Sequence, residues 1–241
     1  STKFRFTGAG NLGIGTTSPL EMLDVSKVNN GGLGPVLQLT NDAGSSTAIG
    51  TSCKIKFAPH HSGTEVAGIE AIATSTGAAT ALSFRTHTGG ALGERMRISS
   101  SGAVTAPTNP AFCVVFADSN DKSTGTTHTL ATVSERFDQG SNFASNAFTA
   151  PVTGRYQLNV IVRMTDVPAN ADSLSLSIVT SNEAYSQVIN PTSAKTLESM
   201  SVTALADMDA SDTAHVTFFQ AGGSAQTNID SESHFSGYLA C

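Results

Sequence analysis

The stretch that most constrains this chain is Gly154-Arg-Tyr-Gln-Leu-Asn-Val-Ile-Val-Arg-Met164. Every second residue is apolar, so Tyr156, Leu158, Val160, Val162 and Met164 share one face of an extended strand. Ser173–Thr180 repeats the device, alternating serine with Leu174, Leu176 and Ile178. One face of each run is buried and the other is wet. Further strands are expected at Ala111–Ala117, Phe143–Thr149, Thr196–Ala206, Thr213–Gln220 and Ser233–Ala240. Eight to ten strands with turn signals between them and no helical period predict a β-sandwich. Pro151 and Gly154 bracket a turn, proline fixing φ and glycine taking the left-handed position. Tyr156 and Phe235 are expected in the core, and Gly237 where another group approaches closely.

The upstream residues obey different physics. Residues 1–110 hold 16 of the 22 glycines and only four aromatics, whereas residues 111–241 hold eight phenylalanines and all three tyrosines. Thr105-Ala-Pro-Thr-Asn-Pro110 reads as the linker between two domains, 1–110 and 111–241. The first carries a net charge of +2 and the second −8. Short strands are expected upstream at Pro35–Thr40, Lys54–Phe57, Gly63–Ala73, Ala81–Thr86, Glu94–Ser99 and Ala103–Thr105. In Glu94–Ser99 the alternation puts Met96 and Ile98 inward and both arginines outward. A string of marginal hairpins with few aromatics needs neighbours: either it stacks on itself as a solenoid, or several copies intertwine and share one core, and the second is the expectation.

Several functions are excluded on chemical grounds. Gly8-Ala-Gly-Asn-Leu-Gly13 matches a dinucleotide-binding fingerprint, but Gly15 and Pro19 oppose the helix that must follow. These glycines are expected at turns and bulges. The acidic second half opposes nucleic-acid binding, which needs lysine and arginine to displace counterions. No run of 18 apolar residues occurs, so no membrane-inserted helix is expected, and the polar, glycine-rich start lacks a signal-peptide pattern. Cys53, Cys113 and Cys241 are odd in number and far apart, which predicts free thiols. No G-x-S-x-G or H-E-x-x-H is present, and the expectation is no enzyme.

Both halves resemble known families. Gly10-Asn-Leu-Gly-Ile-Gly-Thr-Thr-Ser-Pro19 with Leu23-Asp-Val25, and Leu82-Ser-Phe-Arg-Thr86 with Glu94-Arg-Met-Arg-Ile-Ser-Ser-Ser-Gly102, resemble shaft repeats of bacteriophage tail fibres. Phe137-Asp-Gln-Gly-Ser-Asn-Phe143, Phe148-Thr-Ala-Pro-Val-Thr-Gly-Arg-Tyr156 and Ser233-His-Phe-Ser-Gly-Tyr-Leu239 are similar to the globular head of complement component one, subcomponent q, and so to the tumour-necrosis-factor-like jelly roll. The resemblances imply an all-β homotrimer, an intertwined β-rich shaft followed by a jelly-roll head. They imply a virion protein made in the host cytoplasm, partnered by other phage tail proteins. Its ligand is expected to be a host cell-surface glycan or an outer-membrane protein. Two alternatives stay open: a structural or decoration protein whose head only registers and caps the trimer, and a carbohydrate-cleaving tailspike.

Family topology puts the chain ends, and the turn Asp207–Asp212, at the base of the head. Four loops, Asp118–Thr129, Asp166–Asp172, Asn190–Lys195 and Ala221–Ser231, fall at the tip. The candidate receptor-binding residues are Asn170, Asp172, Tyr185, Asn190, Lys195, Gln226, Asn228 and Asp230, short polar groups suited to sugar hydroxyls and equally to turns. No cofactor is expected. The candidates for calcium are Asp118, Asp121, Asp230 and Glu232, against solvated loop acids as the plainer reading. His60-His61 is the sole histidine pair, and adjacent strand residues point to opposite faces. A single axial histidine from each of three chains is the remaining metal arrangement.

Overall fold

The protein is all-β in this computed structural model, which describes residues 4–8, 10–27, 31–41, 48–59, 66–89 and 91–241. It divides into two compact units, Ser1–Gly93 with Arg97–Ala103, and Glu94–Met96 with Val104–Cys241.

In the first unit, β1 (Phe4–Phe6) and β2 (Leu12–Ile14) pair antiparallel, and β3 (Leu23–Val25) pairs parallel to β2. The glycine run thus joins two strands and opens no helix. Gly10 and Gly15 have φ of +86° and +79°, and a Cβ at Gly15 would lie 1.9 Å from the Ser26 carbonyl oxygen. Only glycine fits there. A second sheet pairs β4 (Ser52–Phe57), β5 (Ala67–Ala73) and β6 (Thr80–His87) antiparallel. β7 (Leu92–Ile98) and β8 (Val104–Thr105) follow where the chain passes from one unit to the other.

Two expectations fail in this unit. Pro35–Thr40 forms no strand; it is exposed throughout and pairs with nothing among the described residues. Its alternation is real, but a strand needs a partner to satisfy its ladder. Residues 92–98 are all half-buried, so Met96 and Ile98 are not separated from Arg95 and Arg97 by burial. His60, His61 and Gly63 lie outside the described residues.

In the second unit, Ala111 to Leu239 supply thirteen strands. They are β9 (Ala111–Phe116), β10 (Ser119–Lys122), β11 (Thr127–Thr129), β12 (Thr132–Gln139), β13 (Phe143–Ala144), β14 (Ala147–Thr149), β15 (Gly154–Val167), β16 (Ala171–Thr180), β17 (Ala184–Ile189), β18 (Lys195–Met208), β19 (Thr213–Gly222), β20 (Thr227–Ile229) and β21 (His234–Leu239). One sheet runs β12-β9-β21-β15-β18, with β20 also on β15 and β10 on β20. The other runs β13-β14-β19-β16-β17, with β11 on β19. This is a jelly-roll sandwich. The alternating face of β15 is buried as the sequence predicts, from Tyr156 to Met164. Phe112 stacks on Phe148 at 4.6 Å and meets Phe235 edge-on at 5.0 Å, so the aromatics knit both sheets into one core.

The expected strand Phe143–Thr149 is instead a hairpin, β13 to β14, turned by Ser145 and Asn146 with φ of +52° and +66°. Gly154 has no left-handed φ. It is glycine because a Cβ would lie 2.7 Å from both the Cys241 carbonyl oxygen and Leu239 Cδ1. Gly237 does serve close approach: a Cβ there would come within 2.6 Å of Leu158 Cδ2 and 2.8 Å of Phe112 Cε1. All three cysteines are free thiols.

Candidate functional site

The register of the strands gives the head two different ends. Pro110 accepts from the Leu239 amide, Cys241 accepts from the Arg155 amide, and the Asp209–Asp212 turn packs beside Ala150 and Thr153. Chain entry and exit therefore share one end. The loops around Asp118, Asp166, Asn190 and Ala221 gather at the other, through contacts of their own. Ser231 N–H donates to Asp118, Asp121 N–H donates to Asn228 Oδ1 at 2.9 Å, and Asn228 Nδ2 donates to Asp166 at 2.9 Å. Asn190 Nδ2 donates to the Asp172 carbonyl at 2.6 Å. Asp121 and Asp166 both hold positive φ, 50° and 56°, a conformation aspartate tolerates because its short side chain bonds locally. The Asp118–Thr129 loop leaves this end before it closes: β11 already runs along Thr217–Phe219.

These bonds sort the sequence candidates. Asn190, Asn228 and Asp230 hold neighbouring loops together. Asn170 and Gln226 are exposed at loop crests, Gln226 accepting from Ser224 Oγ. Asp172 lies against Gly222, where an added Cβ would meet its carboxylate at 2.4 Å. Lys195 pairs with Val167 at the start of β18. Tyr185 is a correction. It sits one residue into β17, beside Glu183 and Asp207, at the end where the chain enters, and packs partly on the core. Its burial and the Glu183 carboxylate push the phenol above its ordinary value. The sequence showed a tyrosine outside the alternating runs, but not the direction of β17.

The calcium candidates do not converge. Among the described residues no three histidines, cysteines or acids are grouped as a metal requires. Asp230 takes a 2.8 Å bond from Arg163, and Glu232 also pairs with Arg163. The Arg163 guanidinium, with the Glu232 amide, holds the Asp230 carboxyl below its ordinary range, and Asp230 in turn raises Arg163. Arg163 carried no motif; it reads from sequence only as an outward residue of the long alternating run. Lys122, at the same end, has its ammonium pushed down by burial.

The outer faces of the two sheets also differ. On the β12-β9-β21-β15-β18 sheet, Phe137, Ile161, Leu197, Leu205 and Tyr238 are exposed, each 44% or more. Opposite, β16 presents Ser173, Ser175 and Ser177, with Ser177 bonded to Ser186 at 2.7 Å. The first face sets exposed apolar side chains among polar ones such as Gln157, Asn159 and Thr203, whereas the second is mostly hydroxylated.

The C1q domain family matches residues 111–240. The chain belongs to the C1q domain family. Domains of this family are generally trimerising, binding modules. Similar solved structures include the globular domain of zebrafish complement 1qA protein, at 17% identity over 55% of this chain and 98% of that one, with a TM-score of 0.41. Murine APRIL is 12% identical over 54% of this chain and 98% of its own, with a TM-score of 0.40. No curated protein matches the chain.

Proposed function

We propose that this chain is the distal part of a homotrimeric phage tail fibre whose C1q-type head binds a host surface glycan or outer-membrane protein. It acts on the virion by binding and catalyses no reaction. The observation that carries the reading is the polarity of the head. Chain entry and exit occupy one end, polar loops occupy the other, and the outer face of the sheet between them exposes Ile161, Tyr238, Phe137, Leu197 and Leu205 among polar residues. That face has different patches at its two edges, Leu197 and Leu205 on β18 against Phe137 on β12. Unlike patches that fit each other generate a head-to-tail ring. The first unit supports the same oligomer. Leu37, Leu39, Cys53, Ile55, Ile69 and Leu82 line an open hollow of about 210 Å³. Three heads holding three such units together raise their effective concentration.

Purified chain should have the mass of three protomers by light scattering and should block phage adsorption to host cells. Asn170→Ala with Gln226→Ala should weaken that block and leave the mass unchanged. A trimer that never competes would favour the second reading, a head that only registers and caps the fibre. The engagement of Asn190, Asn228 and Asp230 in internal bonds favours that alternative. Release of reducing ends from host polysaccharide would point to a tailspike instead.

A further inference from the structure

The inward face of β19 runs Ala214, Val216, Phe218 and then Gln220. The first three are core residues, and strand alternation assigns the fourth position to the same core. A fully buried amide stands there instead. Such a group is costly to bury unless its hydrogen bonds are made. Gln220 Oε1 accepts from the Thr227 hydroxyl, also fully buried, at 2.6 Å. Gln220 Nε2 donates to the Gly222 and Ser224 carbonyls, each at 3.0 Å. A flipped amide would set its oxygen against two carbonyls, so the network fixes its orientation. Gln220 and Thr227 flank residues 221–226, where β19 gives way to β20. Their mutual bond clasps the base of this loop, and the two Nε2 bonds reach inside it.

The hold passes on to exposed residues. The Ser224 carbonyl also accepts from the Gln226 amide at 3.0 Å, and Ser224 Oγ donates to Gln226 Oε1 at 3.0 Å. Gly222 and Gly223 have φ of +64° and +75°. A Cβ at Gly223 would lie 2.9 Å from the Ala171 nitrogen and 3.2 Å from the Asn170 carbonyl carbon, so the two loops meet backbone to backbone. Asn170 and Gln226 therefore belong to one patch. We propose that Gln220 is a positioning residue for ligand binding at the tip: it lies beneath the patch and sets the backbone that presents Gln226 and Asn170 before a ligand arrives. The inference rests on the receptor-binding reading above. An apolar side chain at 220 would extend the core and leave the loop carbonyls to water. Binding would then have to order the loop, and that ordering opposes association.

The test uses the full chain as wild type, Gln220→Met, and Gln220→Met combined with Thr227→Val. The single variant strands the buried Thr227 hydroxyl and so also lowers stability. The double variant replaces both partners by apolar groups of similar shape, which restores the sandwich while residues 222 and 224 stay unheld. Ser177→Ala, on the outer face of the same sheet, is the control. Melting, deuterium exchange of residues 221–226 and the protein concentration that half-blocks phage adsorption to host cells are read, the last two well below the melting transition. The double variant should melt close to wild type and exchange residues 221–226 about tenfold faster. It should need about fivefold to tenfold more protein for the block, the size expected when a few side chains are ordered on binding. Ser177→Ala should match wild type throughout. A merely structural Gln220 would move adsorption in step with melting, so recovery of both in the double variant would overturn the inference. Unchanged exchange of the loop, or faster exchange with an unchanged block, would overturn it too and leave the receptor reading standing. A wild-type chain that never blocks adsorption would overturn the receptor reading, and the positioning role with it.

Discussion

The two units spend their apolar residues in opposite ways. The head buries Phe112, Phe148, Phe218, Phe235 and Tyr156 completely, between two sheets drawn from its own chain. In the first unit the only fully buried apolar side chains among the described residues are Ala73 and Ala81. Its large ones face outward: Leu20, Met22, Leu33 and Leu37 are each at least 75% exposed. The head satisfies its hydrophobic pattern within one protomer and leaves a single face for others. The first unit satisfies almost none of its own. The head therefore carries its own core, whereas the described residues of the first unit leave their large apolar side chains mostly in water.

Truncating one phenylalanine in each unit gives the largest expected contrast. Phe235→Ala should cost the head about 3–5 kcal/mol and lower its melting temperature steeply. Phe57→Ala, at a half-exposed site on β4, should cost well under 1 kcal/mol if the unit stands alone. A Phe57 loss as large as that of Phe235 would mean a neighbour covers it, and calorimetry of the full chain reads both. Gly15→Ala should follow, costing more than about 1 kcal/mol because its φ and the Ser26 carbonyl both exclude a side chain. Deuterium exchange should place that damage in β2 and β3 and leave the head silent. Asn228→Ala should cost about 1–2 kcal/mol by freeing the Asp121 amide and Asp166. Asn170→Ala, at an exposed crest, should stay within about 0.5 kcal/mol in urea titration.

The smallest effect concerns acid. Glu70 is buried on β5, where the Ser52 hydroxyl donates to it at 2.6 Å and Arg85 pairs with it at 2.9 Å. The Ser52 bond, aided by Arg85 and opposed by burial, holds its carboxyl below the ordinary 4.5. A depressed carboxyl stabilises the fold fully above its unfolded value and loses that contribution as pH falls below about 4.5. Ser52→Ala should therefore move acid melting of this sheet to higher pH, read by circular dichroism. A head-specific signal, the tyrosine near-ultraviolet band, should not move with it, because all three tyrosines lie in the head.

Much of the head was legible from period two alone. β15, β16, β18 and β19 fall where alternation of apolar and polar residues puts them, because a strand between core and water has no other pattern. β10, β11 and β20 were not legible. They are three or four residues long, too short to show a period, and exist because a longer neighbour offers its open ladder. Pro35–Thr40 fails in the opposite sense: it has the pattern and lacks the neighbour. At the candidate site, sequence identified the loops but not the division of labour within them. Asn190 and Asn170 are the same residue type; only the position of the Asp172 carbonyl makes one a strut and leaves the other free.

By itself, the sequence determined the all-β class, the change of physics near residue 110 and the buried face of the longest strands. Those depend on local periodicity and composition, which one chain carries along its length. Only the tertiary structure decided which strands pair, that Tyr185 lies at the entry end and that Gly154 yields to Cys241. Each of these is a meeting of residues distant in sequence, set by sheet register, and a linear pattern holds no record of register.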